Sequence, residues 1–168
     1  ISKERDERIR WKYFQYLSLL FTEIYLERYF CNRDKLLADI QNYQIEVFNR
    51  DNHTYHEMDA FTARDLNKLA FWSATGSGKT LLMHVNILQF KHYSAQKVQL
   101  NRTILITPNA GLTQQHTDEF RLSSIESCVF SKQYIGTFFD KDNIDIIEIT
   151  KLDEKDGDKK VAVDSFES

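Results

Sequence analysis

Phe71-Trp72-Ser73-Ala74-Thr75-Gly76-Ser77-Gly78-Lys79-Thr80 is the stretch on which the reading of this chain turns. A short apolar run, Leu69 to Trp72, reads as a buried strand. It breaks into a loop of glycines and small hydroxyl residues, and a helical pattern follows from about Gly78 to His92. That order is the context in which a phosphate-binding loop forms. Gly76 and Gly78 allow the backbone to turn its N–H groups inward as a nest of donors, with Thr75 and Ser77 beside them. The helix that follows adds the positive end of its dipole at the same place. Lys79 is placed to reach β- and γ-phosphates, and the Thr80 hydroxyl to ligate Mg²⁺. The general pattern asks for Gly at position 73, where this chain has Ser.

Ala74-Thr75-Gly76-Ser77-Gly78-Lys79-Thr80 resembles the first motif of superfamily 2 helicases and translocases, in the form found in DEAD/DEAH-box proteins and restriction-system motor subunits. Ser at position 73 is ordinary in that family. The resemblance implies a P-loop NTPase: a RecA-like lobe with a parallel sheet and helices on both faces, using ATP and Mg²⁺. It assigns Lys79 to the catalytic machinery, Thr75 through Thr80 to nucleotide binding, and Thr80 to the metal.

Downstream, Thr103-Ile104-Leu105-Ile106-Thr107 reads as a buried β-branched strand, stopped by Pro108, the chain's only proline. Asn109 is suited to cap a helix running from Ala110 to about Arg121, whose first N–H groups would face a phosphate. Ile104 to Gln115 resembles the helicase motif that follows the phosphate loop and contacts the nucleic-acid backbone. By that match Thr107, Pro108, Asn109, Leu112 and Gln115 take the motif positions, and Thr107, Pro108, Asn109 and Gln115 are the expected nucleic-acid contacts. Ala110-Gly111 replaces the frequent Arg-Glu pair. Together the two motifs look most like the motor subunit of type III restriction systems. The implied partners are DNA rather than RNA, and a modification or specificity subunit.

A chain of 168 residues suits one domain with a sizeable core, and 42% hydrophobic with 28% charged residues is ordinary for a globular protein. The net charge of −3 argues against a basic nucleic-acid-coating module. A motor whose contacts are local and partly made by backbone groups is compatible with it. Cys31 and Cys128 lack metal-type spacing and read as free thiols of a reducing cytoplasm. The most apolar segment, Trp11 to Phe30, contains Lys12, Glu23, Glu27 and Arg28, which argues against a membrane span.

Residues from about Ser2 to Phe30 form an aromatic-rich helical pattern, with Phe14, Leu17, Phe21 and Ile24 at the spacing of one buried face. Asn32 or Asp34 is placed to cap a second helix reaching about Phe48. Residues 1–60 thus read as an N-terminal helical segment, and 61–168 as the N-terminal part of the ATP-binding lobe. Gln44 lies where related motors read adenine, although a glutamine on a helix surface is the simpler reading. His53, His56, Glu57 and Asp59 fall in a polar stretch that reads as solvated loop, since a zinc site needs a firmer ligand set. Thr62 to Asp65 resembles a helix-capping start.

Further strands are expected near Ser127–Phe130 and at Ile144–Ile149, with Thr150 where related motors place a hydroxyl on the strand backbone. Asp153-Glu154-Lys155-Asp156 spells an acidic box, but its charged surroundings read as a solvated turn. The acidic motif is then expected beyond Ser168, and the chain is a truncated lobe with no turnover alone. Two other classes fit the phosphate loop. One is a kinase-type phosphotransferase, which would need an arginine-rich lid where only Arg102 and Arg121 occur. The other is a nucleotide-binding scaffold without turnover.

Overall fold

The computed structural model describes residues 5, 8–50, 59–130, 143–153 and 161–162. They fall into two compact units, one of Ile1–Arg10 with Val98–Ser168 and one of Trp11–Lys97.

The Trp11–Lys97 unit is helical. It contains α1 (Tyr13–Cys31), α2 (Arg33–Arg50) and α3 (Lys79–Ser94), with a 3-10 turn at Asp65–Asn67. Helix α1 begins well after the expected Ser2. Its first turn is closed by Gln15, whose Oε1 accepts from the Lys12 N–H at 2.9 Å. Asn32 starts α2, its Oδ1 accepting from Lys35 N–H at 3.2 Å. This decides between the two expected caps in favour of Asn32.

The face of α1 expected to be buried is not the buried one. Phe14, Phe21 and Ile24 are exposed and Leu17 is half-buried, whereas Gln15, Thr22 and Leu26 are buried on the other side. The cause is close contact with α3. Gln89 Nε2 donates to the Leu19 carbonyl at 3.1 Å, and Tyr93 donates its hydroxyl to Glu23 at 3.0 Å. Ser18 and Thr22, small residues on this side, leave room for such an approach, and Thr22 satisfies its own hydroxyl on Ser18 O. Helix α3 in turn buries Leu82, His84 and Ser94, leaving Leu88 and Phe90 exposed.

The turn before the loop is held to the helices at several points. Tyr25 donates to Leu66 O at 2.7 Å, and burial, with Tyr29 beside it, pushes the Tyr25 hydroxyl pKa up and keeps it a donor. Tyr29 and Arg33 both donate to Asn67 Oδ1, and the Arg33 guanidinium lies 4.8 Å from the Tyr29 ring centroid. Thr62 donates both its N–H and its hydroxyl to Asp65 Oδ2, as the expected capping start requires.

The strand expected at Leu69–Trp72 is absent. The segment has no strand partner among the described residues, and Leu69, Phe71 and the fully exposed Trp72 face solvent. A lone extended segment has no ladder to stabilise it, so apolar composition does not suffice to make a strand.

The second unit holds β1 (Thr103–Thr107), α4 (Ala110–Leu122), β2 (Ser127–Val129) and β3 (Ile144–Glu148). A further pair is formed by the two-residue β4 (Leu152–Asp153) and β5 (Val161–Ala162). The three-stranded sheet has the order β1-β3-β2 and both pairings are parallel, with Thr103 opposite Ile144 and Ser127 opposite Ile144. This is the parallel α/β architecture expected from the sequence. Helix α4 packs along β2 and β3 and reaches β1. Phe120, Ile144, Ile146 and Ile147 are fully buried, each contributing about 1.5–3 kcal/mol of transfer free energy. The N-terminal stub returns to this unit through Arg5, which pairs with Glu119 at 2.7 Å and donates to Ser123 Oγ at 3.1 Å.

A carboxylate lies within that apolar sheet. Asp145, on the central strand, accepts from the Cys128 thiol at 3.0 Å and lies 3.7 Å from Arg102 Nε. The longer distance is an ion pair rather than a hydrogen bond. Burial, and then Asp145, push the Cys128 thiol up to about 11. Among the described residues no helix is long and apolar enough to cross a membrane.

Candidate functional site

The phosphate loop has the backbone its sequence demands. Gly76 and Gly78 both adopt positive φ, 75° and 83°. Left-handed conformations of this kind cost an L-residue about 1–2 kcal/mol, so glycine is required for a sterically free loop. A turn bond from Ser77 N–H to Ala74 O, 3.2 Å, closes the loop, and Gly78 is the N-cap of α3, its carbonyl accepting from Leu82 N–H. The 16-residue helix therefore starts on the loop and points its unsatisfied N–H groups into it.

Lys79 folds back over the loop, its Nζ donating to Ser73 O at 3.2 Å and Ala74 O at 2.9 Å. A cation is thus held above the turn that precedes the glycines. Thr80 lies half-buried in the first turn of α3, one residue on. Space remains open on the Gly76 side, where an added Cβ would meet nothing within 4 Å. The Ser77 hydroxyl is buried with no hydrogen-bond partner among the described residues. An orphaned buried hydroxyl, two left-handed glycines and a poised lysine are together the donor set that a polyphosphate satisfies. The residues present therefore fit the phosphates of a nucleotide.

Gln15, which sequence reading did not single out, belongs to this loop. Its Nε2 donates to Ser77 O at 2.8 Å across 62 positions of chain. It was invisible because nothing about a glutamine among aromatics on α1 announces so distant a partner. Gln44, on α2, is engaged by the chain that follows that helix. Its amide donates to Asp59 O at 3.1 Å and accepts from Phe61 N–H at 3.4 Å, which ties down the chain after α2. Residues 51–58, which include His53, His56 and Glu57, lie outside the described residues, as do Glu154 to Asp156 of the acidic box. Among the described residues no group of three or more His, Cys, Asp or Glu side chains could hold a metal ion.

The second candidate stretch, in the other unit, is built on a buried hydroxyl pair. Thr107 is 1% exposed, and its Oγ1 lies 2.6 Å from Thr113 Oγ1 and donates to Ile147 O at 3.3 Å. Asn109 caps α4 as expected, its Oδ1 accepting from Leu112 N–H at 2.9 Å. Pro108, Asn109 and Gln115 are exposed. The structure thus divides the expected contacts: Thr107 faces inward and anchors the junction, while Pro108, Asn109 and Gln115 remain accessible. Thr150 spends its hydroxyl on Glu148 at 2.6 Å.

A family model described as type III restriction enzyme, res subunit, matches residues 37–167, well over half the chain. Neither the curated proteins nor the solved structures yielded a match. The matched segment contains the phosphate loop, α3, the whole parallel sheet and α4. It extends beyond the Leu69–Leu152 stretch that carries the resemblance in the sequence. Loop, following helix and parallel sheet are those of a P-loop NTPase of the RecA-like α/β class, in an ATPase domain of helicase type. The chain belongs to the type III restriction enzyme res subunit family.

Proposed function

We propose that this chain is the ATP-binding part of a DNA-directed translocase or helicase of a restriction system. The observation that carries the reading is the loop: two left-handed glycines, an orphaned buried Ser77 hydroxyl and Lys79, all at the start of α3. In this reading Thr75 through Lys79 cradle the phosphates of ATP and Lys79 exchanges its two carbonyl partners for β- and γ-phosphate oxygens. Thr80 offers its hydroxyl to Mg²⁺, which supplies charge neutralisation between the phosphates. In this reading residues 61–168 form the N-terminal part of the ATP-binding lobe, and 1–60 an N-terminal helical segment.

For DNA, the exposed Pro108, Asn109 and Gln115 at the start of α4 form a backbone-contacting edge, with Thr107 and Thr113 fixing the helix from inside. Contacts of this kind fix position without reading bases. A modification or specificity subunit would then supply sequence choice. The expected location is the cytoplasm.

The test is ATP hydrolysis by the full-length protein, with and without duplex DNA. Lys79→Ala is expected to abolish nucleotide binding and turnover. Gln115→Ala is expected to weaken DNA stimulation to the same degree on unrelated sequences while leaving basal turnover unchanged. Phosphate transfer to a small acceptor in place of water would instead establish a kinase-type enzyme. ATP binding without turnover in the full-length protein would establish a scaffold.

A further inference from the structure

We infer that Gln15, on the first helix, is a positioning residue for the phosphate loop, locking the Ser77–Gly78 peptide in the orientation that phosphate binding needs. This rests on the nucleotide reading above. The side chain is 9% exposed and both ends of its amide are engaged: Oε1 accepts from Lys12 N–H at 2.9 Å, and Nε2 donates to Ser77 O at 2.8 Å. One partner is a donor and the other an acceptor, so the amide has a single orientation that satisfies both.

The consequence follows from peptide geometry. In a trans peptide the carbonyl and the next N–H point in opposite directions. With Ser77 O held toward α1, the Gly78 N–H is directed away from α1. A glycine on that peptide would otherwise let the plane rotate at little cost, since Gly populates both signs of φ. Gln15 removes that freedom. The approach is close: a Cβ on Gly78 would sit 2.6 Å from Gln15 Nε2, so the glycine also makes room for the amide that holds it. Helix α1 is itself held against α3 by Gln89, which donates to Leu19 O about one turn from Gln15, so the strap is anchored on the helix that begins at the loop. Gln15 lies outside residues 37–167, so it is no part of the matched family segment.

The experiment titrates the full-length protein calorimetrically with Mg²⁺-ATP and, separately, with inorganic tripolyphosphate, which has phosphates and no base. Gln15→Met removes both hydrogen bonds at similar length without adding charge. Gln15→Glu keeps an acceptor for the Lys12 N–H and loses the donor to Ser77. Tyr93→Phe loosens α1 from α3 without touching the loop. Both Gln15 variants are expected to weaken both ligands, by about tenfold or more, as the loss of the buried hydrogen bond to Ser77 implies. Tyr93→Phe is expected to lower the melting temperature and leave both affinities unchanged. Wild-type affinity in both Gln15 variants overturns the inference, as does a loss that merely follows the melting temperature and appears equally in Tyr93→Phe. If the wild-type protein binds neither ligand, the nucleotide reading itself falls, and the positioning role with it.

Discussion

The phosphate loop and the strand–helix junction at Thr107–Thr113 are both turns into a helix, yet they are secured in opposite ways. The junction is self-contained. Asn109 caps its own helix, and the Thr113 hydroxyl meets that of Thr107 six residues back, which in turn donates to Ile147 O. The loop instead relies on a glutamine 62 residues away and on glycines in left-handed conformations. Its lysine is parked on the loop's own carbonyls, and one hydroxyl is left buried and unpartnered among the described residues. A satisfied junction is suited to holding an edge rigid. An unsatisfied loop stores donors for a ligand and needs outside support to keep them aimed. The contrast predicts that damage at the junction appears as lost stability and damage at the loop as lost ligand affinity.

The sharpest break is at Gly78. Gly78→Ala forces a Cβ into a φ of 83° and against Gln15 Nε2. Strain of about 1–2 kcal/mol combines with displacement of the strap. A loss of nucleotide affinity of about a hundredfold, read by calorimetry, is expected, larger than for either Gln15 variant alone. Next is Thr113→Val, which keeps the shape of the side chain and removes one member of the buried hydroxyl pair. It is expected to cost about 1–2 kcal/mol in denaturant unfolding and to leave nucleotide affinity intact. Equal loss of affinity there would erase the distinction between the two regions. The smallest effect concerns Asp65, in the turn upstream of the loop. Hydrogen bonds from the Thr62 hydroxyl and N–H hold its carboxyl below the usual range. A depressed folded pKa means that this contribution is present above the unfolded carboxyl pKa and is lost as pH falls through the folded one. Thr62→Ala is expected to move the Asp65 titration upward in a carboxyl-resolved NMR series, and no movement would assign the shift elsewhere.

What the sequence disclosed follows the same division. The helix from Ala110, its Asn109 cap, the strand ended by Pro108 and the strand at Ile144 were legible because neighbouring residues determine them. The loop's glycines and lysine were legible because their spacing is chemical. The buried face of α1 was not, since aromatic and aliphatic residues surround that helix and periodicity offers no unique choice. The segment Leu69–Trp72 misled for a related reason: apolar composition specifies burial, whereas a strand also needs a neighbour to bond. Gln15 escaped because its role lies in a contact remote in sequence, and Thr107, expected as a nucleic-acid contact, has its hydroxyl turned inward onto Thr113.

Trp72 stands fully in solvent, four positions ahead of Gly76, and the chain's one other tryptophan, Trp11, is only 37% exposed. In optical terms the loop carries its own lamp. An indole in water emits at long wavelength and is open to ionic quenchers, while a partly shielded one is less so. With Trp11 replaced by phenylalanine, the remaining emission reports on a single site at the edge of the phosphate loop. The side chain left in solvent at the end of Leu69–Trp72 is thereby a native spectroscopic handle on whatever comes to cover it.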